Sequence, residues 1–412
     1  MNLASLPHRA GPPKIQIFVS DLGATGVVRN AIAIANLAAA SGFRVRLLTC
    51  RADGVLRDDV DEAVEVVELL EVPASPSRKM SLRRVFLAYR RHSREWRPDI
   101  LFSAGNHGHL LSSLAWLGLP GVKILRISND LDHSGDGSWF SRRTRSAKFR
   151  TMTALADRLV LVSHALHDHP RLSRHVRSGK ALLIPNGVDI PKVRSDSTAP
   201  CPHLWLADDR IPVVIGVGRS APQKNFPTLV RAFASAVAQR NLRLIILGGD
   251  QAETMPLRQL ADGLGIGRQV DLVPAVANPF AFIAKADVLA LPSLWEGSSN
   301  VLLEAMACGT PVIASRTAGD APHVLDNGRF GVLIDPLDEA QLAEAILRQT
   351  GDRPIGPGER AKLFDRGKSL AAYIKLFGQV IGRPEGRPLN IDERKPDALG
   401  QGRNLRISGR RP

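Results

Sequence analysis

Two successive series of short Val/Ile/Leu-rich runs, each run followed by a helical stretch, constrain this chain more than any other feature of its sequence. Parallel strands buried on both faces read as nearly continuous apolar runs, and each needs a crossover helix to reach the next. The first series predicts strands at 14–19 (KIQIFV), 44–49 (RVRLLT), 64–70 (VEVVELL), 99–103 (DILFS), 122–127 (VKILRI), 158–162 (RLVLV) and 181–184 (ALLI). The second predicts them at 213–217 (VVIGV), 242–247 (LRLIIL), 270–273 (VDLV), 287–291 (DVLAL), 311–315 (PVIAS) and 331–334 (GVLI). Between them, 185–212 turns polar and Pro-rich, beginning PNGVDIPKVRSDSTAPCP, which is a linker composition. The expected class is α/β, with two Rossmann-like, doubly wound domains. The expected limits are 1–190 and 210–366. A final amphipathic helix at 367–382 is expected to pack back on the first domain, and 384–412 reads as a disordered basic tail.

Lys and Arg outnumber Asp and Glu by 55 to 40, a formal charge of +15. So basic a chain suits an anionic partner: nucleic acid, an acidic membrane surface or phosphorylated small molecules. Cys50, Cys201 and Cys308 are scattered and odd in number, which fits neither a disulfide framework nor a zinc ribbon. That pattern favours a reducing compartment, and so a cytoplasmic location. The N-terminal MNLASLPHRAGPPK lacks an apolar core and reads as a disordered lead-in. The most apolar long stretch, 109–127, is broken by Pro120 and Gly121 and charged at its end by Lys123 and Arg126. It reads as a buried helix, a turn and a strand rather than a membrane span.

Two loops of the second series carry phosphate chemistry. In 216–226, GVGRSAPQKNF, the chain leaves an apolar strand and enters a helix, the place where open α/β sheets bind ligands. Gly218 allows the turn, and Arg219 and Lys224 place two cations at its mouth. In 291–309, LPSLWEGSSNVLLEAMACG, Glu296 follows a strand, and Ser298 or Ser299 is positioned to cap a helix. The free N–H groups of that helix start form an anion site. The helix body is apolar except for Glu304, so the helix is buried and its carboxylate needs partners. A structural ion pair with a buried Arg or Lys would supply them, and so would the hydroxyls of a ligand.

Glu296 and Glu304 make the E-x7-E pattern of the family 4 glycosyltransferases, and 291–315 resembles that family's core motif almost throughout. GVGRSAPQKNF resembles the family's diphosphate-binding segment, PNGVD (185–189) its interdomain motif, and DLGATGVVRN (21–30) and GVLIDPLD (331–338) extend the likeness over roughly 14–382. The resemblance implies a GT-B fold, two Rossmann-like domains facing across a cleft, and metal-independent transfer that retains anomeric configuration. A nucleotide-diphosphate sugar is the implied co-substrate, with no further cofactor and no metal. Arg219 and Lys224 would hold its diphosphate, replacing a divalent cation as charge builds on the leaving group. Glu304 would accept hydrogen bonds from the ribose hydroxyls, and Glu296 would face the donor sugar. Backbone N–H groups around Gly297, Ser298, Ser299 and Asn300 would contact sugar or phosphate. Gly26 would let the first domain approach the diphosphate.

The chain departs from the family pattern in two places. Asn129 stands where many members carry His after the fifth strand; His133 lies a few residues on and His107 follows the preceding strand. These three are candidates for the acceptor side, each with a plain loop role as the alternative. His323 stands where the family often has Glu. The segment 78–97, RKMSLRRVFLAYRRHSREWR, sets Leu82, Val85, Phe86, Tyr89 and Trp96 at helical spacing among Arg and Lys, and 139–150 repeats the mixture. Both suit an anionic membrane surface, or helices packed on the sheet with solvated arginines. No nucleic-acid motif accompanies the charge, so no nucleic acid is expected.

The leading reading is an enzyme of cell-surface polysaccharide or glycolipid synthesis, with a glycan or lipid-linked acceptor. Its competitors are an inactive GT-B binding or scaffold protein and a sugar-nucleotide epimerase. A glycosidase carboxylate pair is disfavoured by the strand–loop–helix setting.

Overall fold

The computed structural model describes residues 11–382 apart from 24, 71–77, 133–138, 208–209 and 352–353. The N-terminal lead-in before residue 11, His133 and the basic tail fall outside the described residues.

Among the described residues the strands form two parallel sheets. The first contains β1 (Lys14–Val19), β2 (Arg44–Thr49), β3 (Val64–Glu68), β4 (Ile100–Ser103), β5 (Val122–Ile127), β6 (Arg158–Leu161) and β7 (Ala181–Leu183) in the order 3-2-1-4-5-6-7. The second contains β8 (Val213–Val217), β9 (Arg243–Leu247), β10 (Val270–Val273), β11 (Val288–Leu291), β12 (Val312–Ser315) and β13 (Val332–Ile334) in the order 10-9-8-11-12-13. Each expected strand is present, with ends moved by at most two residues. The central ones, such as β4 and β11, are buried at every position, as the apolar runs require.

The strand order reverses between β1 and β4 in one sheet and between β8 and β11 in the other. Such switch points open a crevice outside the carboxyl ends of the strands, where the two neighbouring loops diverge. In the second sheet those loops are 218–225 and 292–299, the two singled out from sequence. In the first they are 20–25 and 104–108.

The chain passes between the sheets twice, and the two passages are tied together. Val188 N donates to the Phe364 carbonyl (2.8 Å) and Arg366 N to the Val188 carbonyl (2.9 Å). Gly187 is required there, because a Cβ would lie 2.6 Å from the Arg366 Cα. The helix Arg366–Val380 then joins the core of the first sheet, where Phe377 meets Phe102 at 5.7 Å and Phe43 at 6.3 Å between ring centroids.

The stretch 109–127 forms the helix His109–Ala115 and strand β5, as its breakers imply. No helix of the described residues is long and apolar enough to cross a membrane. Arg126 departs from expectation: it is 1% exposed and lies inside the molecule rather than marking a charged end. In the helix Arg78–Trp96, Val85, Tyr89 and Trp96 are buried against the sheet, while Leu82 and Leu87 are 53% and 54% exposed.

Candidate active site

The apolar run of β11 ends at Leu291, and the loop behind it turns Glu296 back toward the loop after β8. Lys224 Nζ lies 2.7 Å from Glu296 Oε1, Gln223 Nε2 donates to Oε2 at 2.9 Å, and Ser293 Oγ donates to Oε1 at 3.1 Å. The Lys224 and Glu296 side chains are only 18% and 10% exposed. The lysine stem crosses directly over Gly218, where a Cβ would meet Lys224 Cε at 2.8 Å. At φ +144° Gly218 is also in a region that other residues avoid. Arg219, one residue on, is exposed and makes no side-chain hydrogen bond or ion pair among the described residues.

The helix Asn300–Cys308 begins with Ser299 as N-cap, but the side chain makes no capping bond. Ser299 Oγ is buried and without a partner among the described residues. The first N–H groups of this helix have no intrahelical acceptor, as at every helix start. Val301, Leu302, Leu303, Ala305, Met306 and Ala307 are buried around Glu304, which is itself half-buried. Glu304 makes no hydrogen bond or ion pair among the described residues, so the structural ion pair considered from sequence is not formed there. Burial raises its carboxyl above the ordinary value, with Arg29, Lys224 and Arg366 pulling the other way.

Arg29 and Arg366 were not singled out from sequence. Arg29 lies in DLGATGVVRN (21–30), on the first turn of the helix Gly26–Ala40. Nothing near residue 366 points at Glu304, because the approach depends on the chain returning from the second sheet. Arg366 donates through Nη2 to the Arg29 carbonyl (3.3 Å) and lies 3.7 Å from Asp189.

The first domain closes directly on this loop. A Cβ on Gly297 would fall 2.3 Å from the Ser128 carbonyl oxygen and 2.5 Å from the Asn129 Cα, so Asn129 faces the 292–299 loop through its backbone. A Cβ on Gly26 would fall 2.4 Å from Asn300 Nδ2, so Gly26 admits the Asn300 side chain. Asp320 reaches across to accept hydrogen bonds from His164 N and Ala165 N at 2.9 and 3.0 Å. His323, at the position where the family often has Glu, stacks on His164 with ring centroids 3.6 Å apart. It serves this domain contact, and burial lowers its pKa.

His107 is exposed in the turn Asn106–Gly108 and makes no side-chain hydrogen bond or ion pair among the described residues. The histidine held in the core is His109, fully buried, bonded through Nδ1 to Ser103 Oγ (2.8 Å) and through Nε2 to the Arg126 carbonyl (3.0 Å). Burial pushes its pKa down to about 3, so the ring is neutral at physiological pH. No cluster of three or more His, Cys, Asp or Glu placed to hold a metal ion occurs among the described residues.

Comparisons with known proteins agree with this fold. Residues 24–192 match the Glycosyltransferase Family 4 domain and residues 211–352 the Glycosyl transferases group 1 domain. A D-inositol 3-phosphate glycosyltransferase of Corynebacterium jeikeium is 37% identical over 216 residues, 48% of this chain and 51% of that protein. Its counterpart from Saccharomonospora viridis is 27% identical over 313 residues, 69% of this chain and 72% of that protein. The chain spans about half the length of the first D-inositol 3-phosphate glycosyltransferases it matches and 19% of a probable sucrose-phosphate synthase of Craterostigma plantagineum. Among solved structures, the sucrose-phosphate synthase of Thermosynechococcus elongatus superposes with a TM-score of 0.73 at 22% identity, over 89% of this chain and 99% of the other. The Anabaena protein HepE in complex with UDP-glucose gives 0.72 at 20% identity, over 89% and 99%. With the two domain matches taking in most of its length and two parallel-sheet domains of GT-B form, the chain belongs to the family 4 glycosyltransferases.

Proposed function

We propose that this chain transfers a hexosyl group from a nucleotide-diphosphate sugar to a glycan or lipid-linked acceptor, with retention of configuration. The observation that carries this reading is the convergence at the second switch point of Lys224, Glu296 and the open start of the Asn300–Cys308 helix, with Glu304 one turn further on and without a hydrogen-bond or ion-pair partner among the described residues. Lys224, Arg219 and the helix N–H groups hold the diphosphate and take up the negative charge that grows as the glycosidic bond breaks. Glu304 accepts from the ribose hydroxyls. Glu296 keeps Lys224 in place and borders the donor sugar. The departing phosphate oxygen takes the acceptor proton on the same face, so no protein base is required. Transfer on this scheme is independent of a divalent metal and persists in EDTA.

HepE has been solved with UDP and with UDP-glucose, which makes uridine the first base to try. The deciding experiment is a thermal-shift screen of UDP-, GDP- and ADP-sugars. A donor at a hundred times its Kd adds about 2.7 kcal/mol of stability. Absence of any shift across the set refutes the reading. Product analysis with the hit separates the alternatives: an epimerase alters the donor without acceptor, and an inactive scaffold binds it unchanged.

A cytoplasmic membrane face is the proposed site of work, in cell-surface polysaccharide or glycolipid synthesis. Support comes from exposed Leu82, Leu87 and Leu117 on the first domain, set beside exposed Arg83, Arg84, Arg91 and Arg94. Apolar side chains among arginines suit the boundary of an anionic leaflet. Residues 143–150 add exposed Arg143, Lys148 and Arg150.

A further inference from the structure

Among the described residues Arg126 is the largest buried charged side chain, and packing does not explain its role. It is 1% exposed, and each of its three hydrogen bonds ends on a neutral oxygen. Nε donates to Tyr373 Oη at 3.0 Å, Nη1 to the Ala104 carbonyl at 3.3 Å, and Nη2 to Asn186 Oδ1 at 2.6 Å. Arg126 has no counter-ion among the described residues, and an apolar side chain of similar volume would avoid the cost of burying an unpaired charge. The three acceptors lie on the loop after β4, on the first passage between the domains and on the returning helix Arg366–Val380.

The polarity of these bonds carries the inference. Arginine has donors only, so it fixes the Asn186 amide with Oδ1 toward the guanidinium and Nδ2 away from it. Asn186 Nδ2 then donates to Asn300 Oδ1 at 3.1 Å across the domain boundary. Asn300 Oδ1 is thereby occupied, and its Nδ2 is turned to Gly26, where only the absence of a Cβ leaves room. Each amide passes the orientation on, and the last N–H group stands at the start of the Asn300–Cys308 helix.

We propose that Arg126 and Asn186 are positioning residues that commit the Asn300 side chain to donate into the cleft, toward a phosphate oxygen of the bound nucleotide sugar. This rests on the glycosyltransferase reading for the identity of the ligand, but not for the orientation of the amides. The planar guanidinium fork is the part that matters, because a lysine at 126 would hold the charge without fixing three acceptors at once. His109, neutral throughout the physiological range, clamps the Arg126 backbone carbonyl from the other side and adds no second positive charge.

The test is a mutant cycle read by calorimetry, with inorganic pyrophosphate and UDP-glucose as separate probes. Arg126→Met with Asn186→Leu replaces the relay by apolar groups and leaves no charge unpaired. Asn300→Ala removes its end point. Each is expected to weaken pyrophosphate binding about tenfold, and the triple variant to bind no more weakly than Asn300→Ala alone. A merely structural or long-range electrostatic role would leave the losses multiplying to about a hundredfold, and that result overturns the proposal. So does unchanged affinity in the relay variant. Should that variant not fold, Asn186→Asp, which keeps an acceptor for Arg126 and removes the donor to Asn300, takes its place in the same cycle. Wild-type protein that binds pyrophosphate but no nucleotide sugar leaves the relay standing and removes the glycosyltransferase reading. Binding of neither removes both.

Discussion

Replacing Lys224 by Met separates the stability of the Lys224–Glu296 pair from its use in chemistry. Methionine keeps most of the aliphatic stem that crosses Gly218, so the loop retains its packing. What is lost is the ammonium 2.7 Å from Glu296, leaving that carboxylate with Gln223 and Ser293 as its remaining donors. Removing one partner of a fully buried pair costs about 3–5 kcal/mol, and the residual exposure of both side chains brings this to about 2–3. For a domain of this size that is a fall of about 4–12 °C in Tm. Adding Glu296→Gln removes the orphaned charge, so most of the lost Tm returns in the double variant. Turnover is expected to behave differently. If Lys224 meets the leaving diphosphate, kcat drops about 10²–10³-fold in the single variant and does not recover in the double. Differential scanning calorimetry alongside initial rates with the identified donor measures both. Recovery of kcat together with Tm would show that Lys224 serves only to neutralise Glu296, and the diphosphate role would be refuted.

Gly297→Ala puts a methyl group against the backbone of Ser128 and Asn129, which cannot yield as a side chain would. kcat/KM is expected to fall at least about tenfold with Tm nearly unchanged, and wild-type kinetics would show that closure at this point is not needed. Glu304→Gln should raise the Tm of the ligand-free protein at pH 7 while weakening nucleotide binding. Its folded pKa is raised, so the stability tied to this group is present below the unfolded value and is lost as pH rises through the folded one. A matched Tm–pH series in which the two proteins converge only at neutral pH would contradict that sign. Changing Arg83, Arg84, Arg91 and Arg94 together to Gln should abolish salt-sensitive co-sedimentation with vesicles of anionic phospholipid, and persistence of binding would exclude this face.

The sheets were legible because buried parallel strands leave a strong local trace: β8, VVIGV, and β11, VLAL, admit almost no other reading. The two loops at the second switch point were legible for the same reason, since each follows such a strand. Spacing could not show what those loops do to each other. Lys224 and Glu296 are 72 residues apart, and their ion pair exists only because β8 and β11 are neighbours. Arg126 was misread because VKILRI followed by a polar loop looks the same whether its arginine ends in solvent or in the core. Its partner Tyr373 is 247 residues away in a helix that returns from the other domain. His107 and His109 are equivalent in SAGNHGH until the turn Asn106–Gly108 sends one outward and the other under the sheet.

The return of the Arg366–Val380 helix also sets an order of events during synthesis. The first sheet is complete as a sequence once β7 has been made, but Phe43 and Phe102 are still uncovered at that point. The second domain, from β8 to β13, has all its strands before the covering helix leaves the ribosome. A nascent chain therefore holds a finished second domain and an unfinished first one, with an apolar seam open until the Arg366–Val380 helix has emerged. A released chain ending at residue 360 should bind a hydrophobic dye or a chaperone at that seam, and a chain that runs through Val380 should not.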